Sequence, residues 1–269
     1  YSAFLQNEWK NDRWGILIGG RLDKHNMVDN VIFSPRANLR FNPTQNINLR
    51  LSYSSGFRAP QAFDEDMHIE NVGGTVAMIE RAKDLKEEKS QSFSVSADMY
   101  HRFGAFQTNL LIEGFYTRLT DVFVLGKPYD RGDGILVKTR SNGPGAKVMG
   151  LTLEGKVAYL SILQIQAGLT LQRSRYDEPH KWHDDAPAEK KIFRTPDTYG
   201  YFTATCTPIK PLSIALSGTY TGRMLVQRMD ITAENAELGK MPERKAEAIR
   251  TPRFFDLGVK LAYDFKLYK

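Results

Sequence analysis

Apolar and polar residues alternate strictly on both sides of a short polar turn in the segment 33–60. Before the turn, one side of the chain carries Phe33, Pro35, Ala37, Leu39 and Phe41. After the turn, one side carries Ile47, Leu49, Leu51 and Tyr53. A period of two is typical of a β-strand whose two faces meet different surroundings. The segment therefore predicts a β-hairpin with one apolar and one polar face.

The same alternation recurs along the chain and predicts eleven strands, at 1–10, 14–22, 33–41, 47–56, 90–101, 107–117, 149–159, 165–171, 197–206, 212–221 and 255–263. The connections sort by length. Short turns at 10–13, 42–46, 102–106, 160–163 and 207–211 alternate with longer loops at 23–32, 57–86, 119–144, 172–196 and 222–250. Short turns on one side and long loops on the other are the layout of a bacterial outer-membrane barrel, whose tilted strands need about 9–11 residues to cross the bilayer. The fold class predicted is all-β: an antiparallel up-and-down transmembrane β-barrel, here a partial one of about eleven strands.

The amino-acid composition limits the classes of function that the chain can have. The 269 residues carry a net charge of +6, but no run of Lys and Arg is long enough to indicate a nucleic-acid partner. The single cysteine, Cys206, excludes an internal disulfide. No Ser-His-acid order, glycine-rich phosphate loop or cysteine cluster indicates catalysis. We therefore expect no enzymatic activity, no cofactor and no bound metal.

Six stretches, taken in order, resemble the C-terminal part of the barrel of TonB-dependent outer-membrane receptors, of the type that takes up iron-siderophore complexes, cobalamin or haem: FSPRANLRFNPTQNINLRLSYSSGFRAP, DLKEEKSQSFSVSADMY, NLLIEGFYTRLTDVF, GAKVMGLTLEGKVAY, FRTPDTYGYFTATCTP and FFDLGVKLAYDFKL. The resemblance implies a barrel of about 22 strands around a plug, in the bacterial outer membrane. Residues 1–269 are then the C-terminal part of the barrel domain, with the N-terminal plug and the final strands outside them.

The resemblance also implies a function. Such receptors take up a scarce, bulky nutrient with energy from the TonB complex, which acts through the N-terminal region. An iron-siderophore complex is the leading ligand expected here, with haem and cobalamin as alternatives, and outer-membrane lipid surrounds the barrel. Two other classes stay open from the residues alone: a barrel-borne outer-membrane enzyme and a soluble β-rich binding module.

The candidate ligand-binding residues lie on the long loops, because binding residues concentrate on loops that a rigid scaffold positions. They combine a cation with imidazole and aromatic groups, which suit an anionic, flat or metal-bearing ligand: Arg58, His68, Tyr129, Trp182 and His183. His68 follows a Phe-Arg-Ala-Pro segment (57–60) similar to one in haem receptors. The second motif of those receptors is replaced by AKDLKEEKS, so an ordinary loop histidine is the alternative.

Three arginines alternate with the apolar residues of the first hairpin, at Arg36, Arg40 and Arg50. In a barrel the face opposite the lipid borders the lumen, so we expect these side chains to face it. Their charge would draw an anionic ligand or hold the carboxylates of the plug. The alternative is that they simply make the wall polar.

Overall fold

The computed structural model describes residues 1–60, 77–126, 129–132, 136–182, 186–231 and 244–265. These residues form β1 (Ser2–Lys10), β2 (Trp14–Asp23), β3 (Ile32–Thr44), β4 (Ile47–Arg58), β5 (Ala77–Arg81), β6 (Glu88–Phe103), β7 (Phe106–Thr120), β8 (Phe123–Leu125), β9 (Tyr129–Asp130), β10 (Leu136–Asn142), β11 (Ala146–Tyr159), β12 (Leu163–His180), β13 (Glu189–Lys191), β14 (Thr198–Ile209), β15 (Leu212–Thr221), β16 (Leu225–Ile231), β17 (Arg244–Arg250) and β18 (Phe254–Tyr263).

Eleven strands form the main sheet in the order β1-β2-β3-β4-β6-β7-β11-β12-β14-β15-β18, and the short β13 adds to β12. Every neighbouring pair along this order is antiparallel. The all-β class and the eleven strands predicted from alternation are confirmed. β1 and β18 are not paired with each other among the described residues, so the sheet is open, as in a partial barrel.

The register brings the apolar residues of successive strands onto one side of the sheet, which we call the apolar face. One row across it runs Ile16, Leu39, Leu51, Val95, Gly114, Leu151 and Leu171. These side chains are not covered by other parts of the chain: Val95 is 60% exposed and Leu51 is 53% exposed. A continuous apolar face of this size needs an apolar surrounding, because water would make its exposure unfavourable.

Aromatic side chains mark the two limits of this face, at two levels along the strands. At one level the rings of Tyr53 and Phe93 lie 4.7 Å apart. At the other, beside the short turns, Phe106 lies 5.4 Å from Phe103 and 4.8 Å from Tyr159. Phe93 and Phe103 are separated along β6 by about 34 Å at the usual rise per residue. With a strand tilt of about 45°, this gives a band of about 25 Å, the height of the lipid-facing band of membrane barrels.

The opposite side of the sheet, the polar face, carries a hydrogen-bonded network near the short turns. Tyr201 donates its hydroxyl proton to Glu154 Oε2 at 2.6 Å, and Gln166 Nε2 donates to Tyr201 Oη at 2.6 Å. Lys156 Nζ lies 3.0 Å from the same carboxylate. A Cβ on Gly168 would lie 2.6 Å from the Tyr201 ring, so the network depends on a glycine at that position.

The long connections are more ordered than the sequence indicates, and we call their end of the sheet the loop side. β5, β8, β9 and β10 form a separate sheet, the loop sheet, and β16 pairs with β17 as a hairpin. These strands lie within segments 57–86, 119–144 and 222–250, which the sequence analysis assigns to long loops. β12 continues to His180 instead of ending at residue 171. The few fully buried side chains lie mostly on the loop side, including Val137 and Arg140.

The apolar face predicts that an added charge destabilises the barrel on that face but not on the polar face. Leu49 lies on the apolar face between the two aromatic levels, and Ser52 lies on the polar face of the same strand. Leu49→Arg should destabilise the folded barrel by about 2–4 kcal/mol, because it moves a guanidinium into lipid near the midplane. Ser52→Arg is the matched control and should cost little. Equal losses for the two variants, measured by reversible folding into liposomes, would contradict a lipid-facing assignment.

The open edges predict that the chain does not form a closed, independent barrel. Both edge strands are exposed along nearly their whole length, with Leu5 81% exposed on β1 and Val259 75% exposed on β18. Unpaired strand edges template further pairing. Residues 1–269 purified alone in detergent should therefore form mixed oligomers or aggregates on a sizing column. A single heat-stable monomeric species would show that the edges close on each other.

Candidate functional site

The loop sheet joins two of the long loops into one body. The segment Leu136–Arg140 pairs in parallel with Ala77–Arg81, and its continuation pairs with Phe123–Leu125. An ion pair between Arg131 and Glu80 at 3.2 Å adds a contact at the exposed margin. The loop side is therefore a structured platform at one end of the main sheet, and this is the arrangement a ligand site requires.

The side chain of Asn142, at the end of β10, holds the loops 57–86 and 119–144 together. Its Oδ1 accepts a hydrogen bond from Lys86 N at 2.8 Å. Its Nδ2 donates to Lys86 O at 3.1 Å and to Asp121 O at 2.8 Å. Asp121 has a left-handed backbone with φ 56°. One amide side chain therefore satisfies three backbone groups from segments distant in sequence.

Arg58 lies at the end of β4 and is exposed. Its guanidinium carbon lies 5.5 Å from the centroid of the Phe123 ring, within the range of a cation–π contact. Phe123 is itself held by its backbone N–H, which donates to Glu88 Oε2 at 3.0 Å. The predicted ligand residue Arg58 is thus supported by an aromatic ring and turned toward solvent.

Tyr129 lies on β9 and is 46% exposed. It pairs with Val137 on β10, whereas Phe123 pairs with Asn142. At the usual rise along a strand, these two positions are about 17 Å apart. Tyr129 therefore lies toward one end of the loop sheet, and Arg58 lies beside the other end, against Phe123.

Trp182 is half-buried and follows the end of β12. Nearby, the rings of Tyr176 and His180 lie 5.6 Å apart, and burial lowers the pKa of His180 at this extremity beyond the aromatic level. Trp182 follows β12, whereas Arg58 ends β4 and Tyr129 lies on β9. The other two candidates, His68 and His183, lie outside the described residues.

Arg36, Arg40 and Arg50 all lie on the polar face. Arg40 and Arg50 are direct partners in the β3–β4 register. Arg50 Nε donates to Asn48 Oδ1 at 2.8 Å. Arg40 lies across Gly15, and its buried Nε has no hydrogen-bond partner among the described residues. The pair thus concentrates positive charge on the polar face.

Sequence reasoning did not single out Arg140, Arg173 or Arg175. Arg140 is 2% exposed in the middle of the loop sheet, and nothing in its short strand marks it as buried. Arg173 and Arg175 lie on the extension of β12 beyond residue 171. The signal for the latter pair was present, because the period of two continues through Gln172–Tyr176.

The described residues contain no helix long and apolar enough to cross a membrane. Among the same residues, no three His, Cys, Asp or Glu side chains gather closely enough to hold a metal ion.

An open antiparallel sheet with one exposed apolar face between two aromatic levels is the wall of a transmembrane β-barrel. Residues 1–268 match the family model described as TonB dependent receptor-like, beta-barrel. The chain therefore belongs to the TonB-dependent receptor β-barrel family. No curated protein is similar enough to count as a match.

Solved structures show the same fold. The siderophore receptor PirA from Acinetobacter baumannii has a TM-score of 0.69 at 14% identity, over 98% of this chain and 39% of that one. The FrpB iron transporter from Neisseria meningitidis has a TM-score of 0.65 at 15% identity, over 98% and 38%. The ferric enterobactin receptor PfeA from Pseudomonas aeruginosa has a TM-score of 0.69 at 16% identity, over 98% and 37%. The chain spans about two-fifths of the length of these receptors.

Asn142 offers a test of the loop platform. Asn142→Ala removes three hydrogen bonds to the backbone, at about 1 kcal/mol each, and should increase amide hydrogen exchange in β8 and β10. Asn11→Ala is the matched control, because Asn11 Oδ1 also accepts from two backbone groups, Arg13 N and Trp14 N, but at a short turn. Unchanged exchange at the loop sheet in N142A would show that the two loops are held together by other contacts.

Proposed function

We propose that this chain is part of the wall of a bacterial outer-membrane receptor that takes up an iron-siderophore complex with energy from the TonB complex. The observation that carries the proposal is the combination of a bilayer-height apolar face with an ordered platform on the loop side. Membership of the receptor family supports it. Three structural neighbours, named as a siderophore receptor, an iron transporter and a ferric enterobactin receptor, support the same class of ligand.

The receptor is larger than this chain in our proposal. Eleven strands with two open edges form half of a barrel of about 22, and the strands that cover β1 and β18 complete the wall. The TonB complex acts through an N-terminal region outside the barrel wall. The outward apolar face meets outer-membrane lipid, and no nucleic acid takes part.

Ligand capture takes place on the loop side. Arg58 supplies a cation for an anionic iron complex, and its support by Phe123 reduces the entropy lost when it binds. Tyr129 and Trp182 supply aromatic surface, and His68 and His183 supply imidazole. Arg36, Arg40 and Arg50 line the lumen, where their charge attracts either the ligand in transit or acidic groups of a plug.

Transport requires no bond making by this wall, so we propose a binding and conducting role rather than an enzymatic one. Haem and cobalamin stay as the alternative ligands, because the FRAP segment before His68 is similar to one in haem receptors. Each ligand is an outcome of the experiment below.

The test is uptake by cells that express the receptor containing this chain, with radiolabelled ferric siderophore, haem and cobalamin supplied separately. Uptake of the ferric siderophore should fall at least tenfold in the triple variant Arg58→Ala, Tyr129→Ala, Trp182→Ala, because cation and aromatic contacts are lost together. Lys10→Ala, at a short turn on the opposite side, is the control and should transport normally. Normal siderophore uptake by the triple variant would refute the assigned residues. Uptake of haem or cobalamin instead would refute the assigned ligand.

A further inference from the structure

A shallow groove of about 770 Å³ crosses the apolar face, from the aromatic level of Tyr53 and Phe93 toward the middle of the face. Its walls include Leu51, Phe93, Val95, Tyr116, Leu151 and Leu171. The groove centres on Gly114, which stands between Val95 and Leu151 in the register and adds no side chain to that row. A Cβ on Gly114 would meet only Val95 Cγ1, at an ordinary 3.7 Å, so local packing does not demand the glycine.

A second cavity of about 300 Å³ continues from the groove toward the loop side. The two share Gln172, Arg173 and Asp197 as lining residues, and the second adds Arg175, Lys191 and Arg250. Arg173 pairs in the register with Met149, and Arg175 pairs with Lys147 and with Lys191. The strand period therefore places Arg173 and Arg175 on the same face as the groove, at and just beyond the aromatic level.

Positive charge prevails in this second cavity. Asp197 is occupied by an ion pair with Lys191. Within the described part of the chain, Arg173, Arg175 and Arg250 form no ion pair. Three cations without a carboxylate partner thus border a cavity whose other end opens onto an apolar groove.

We propose that the groove and the basic cavity form one binding site for a phosphorylated lipid of the membrane leaflet on the loop side, which rests on the proposed insertion in the outer membrane. The acyl chains occupy the groove over Gly114, and the phosphate lies between Arg173, Arg175 and Arg250. Arginine suits this role because its planar group binds phosphate oxygens through two hydrogen bonds. The occupant is a lipid rather than free phosphate, because only a lipid uses both halves of the site.

The site has a functional consequence for the receptor. On the outside of the wall, the lipid would lie between β6 and β14. It would contact strands whose loop-side ends lead into the loop platform. β6 begins beside Glu88, which holds Phe123 under Arg58. The bound lipid therefore supports, from outside the barrel, the strands that position the candidate ligand residues.

The experiment measures lipid binding to the detergent-purified receptor containing this chain, by native mass spectrometry over a lipid titration. The probes are diphosphorylated lipid A, its dephosphorylated form and inorganic phosphate. The double variant Arg173→Gln, Arg175→Gln should bind lipid A at least tenfold more weakly than the parent, and Gly114→Leu at least fivefold more weakly. The control Lys10→Gln, Arg13→Gln removes two cations beside a short turn and should bind as the parent does.

Equal binding of lipid A by the parent and the double variant would overturn the proposal, and so would equal binding of the dephosphorylated lipid. Inorganic phosphate that binds as tightly as lipid A would assign the cavity to a free anion and overturn the lipid site. Binding is measured without siderophore, so its failure is distinct from a failure of uptake. A receptor that binds lipid A as expected but transports no siderophore would sink the proposed function and leave the lipid site standing.

Discussion

Backbone pairing between neighbouring strands is the constraint on which the rest of this molecule depends. A strand inside a bilayer has no water to satisfy its N–H and C=O groups, so each must bond to an adjacent strand. β11 shows how fully this is met, because all fourteen of its residues pair with β7 on one side and with β12 on the other, without a slip in register. A slip of one residue would turn every apolar side chain to the polar face. The aromatic levels, the polar network and the apolar groove all exist because the register is fixed.

The wall of the barrel could be predicted from the sequence because each strand carries its own evidence. A strand with lipid on one side and polar surroundings on the other must alternate, and that pattern needs no knowledge of its neighbours. The loop strands carry no such evidence. β5 pairs with a strand about sixty residues further along the chain, and its five residues do not alternate. β12 was ended too early, because its extension alternates between polar residues of different size rather than between apolar and polar ones.

The candidate site, like the fold, could be predicted from the sequence only in part. Topology alone put Arg58 and Tyr129 on the side of the long loops, and the structure places Tyr129 on the loop sheet and Arg58 beside it, at the end of β4. Their separation along β10 could not be read from the sequence, because it depends on which loop segments pair. The basic cavity was hidden for a related reason. Arg173 and Arg250 meet only through tertiary structure, and each alone is an ordinary surface arginine.

The position of Cys206 allows the depth of the barrel wall in the bilayer to be measured. It is the one cysteine in the chain, and the register places it on the apolar face between Leu163 and Ile214, in line with Phe103 and Tyr159 at the short-turn aromatic level. A nitroxide or fluorophore attached to this thiol would sit near the lipid headgroups of one leaflet, with no other cysteine in the chain to compete for the reagent. Quenchers fixed at known depths along the acyl chains would then report how far this wall is immersed in the bilayer.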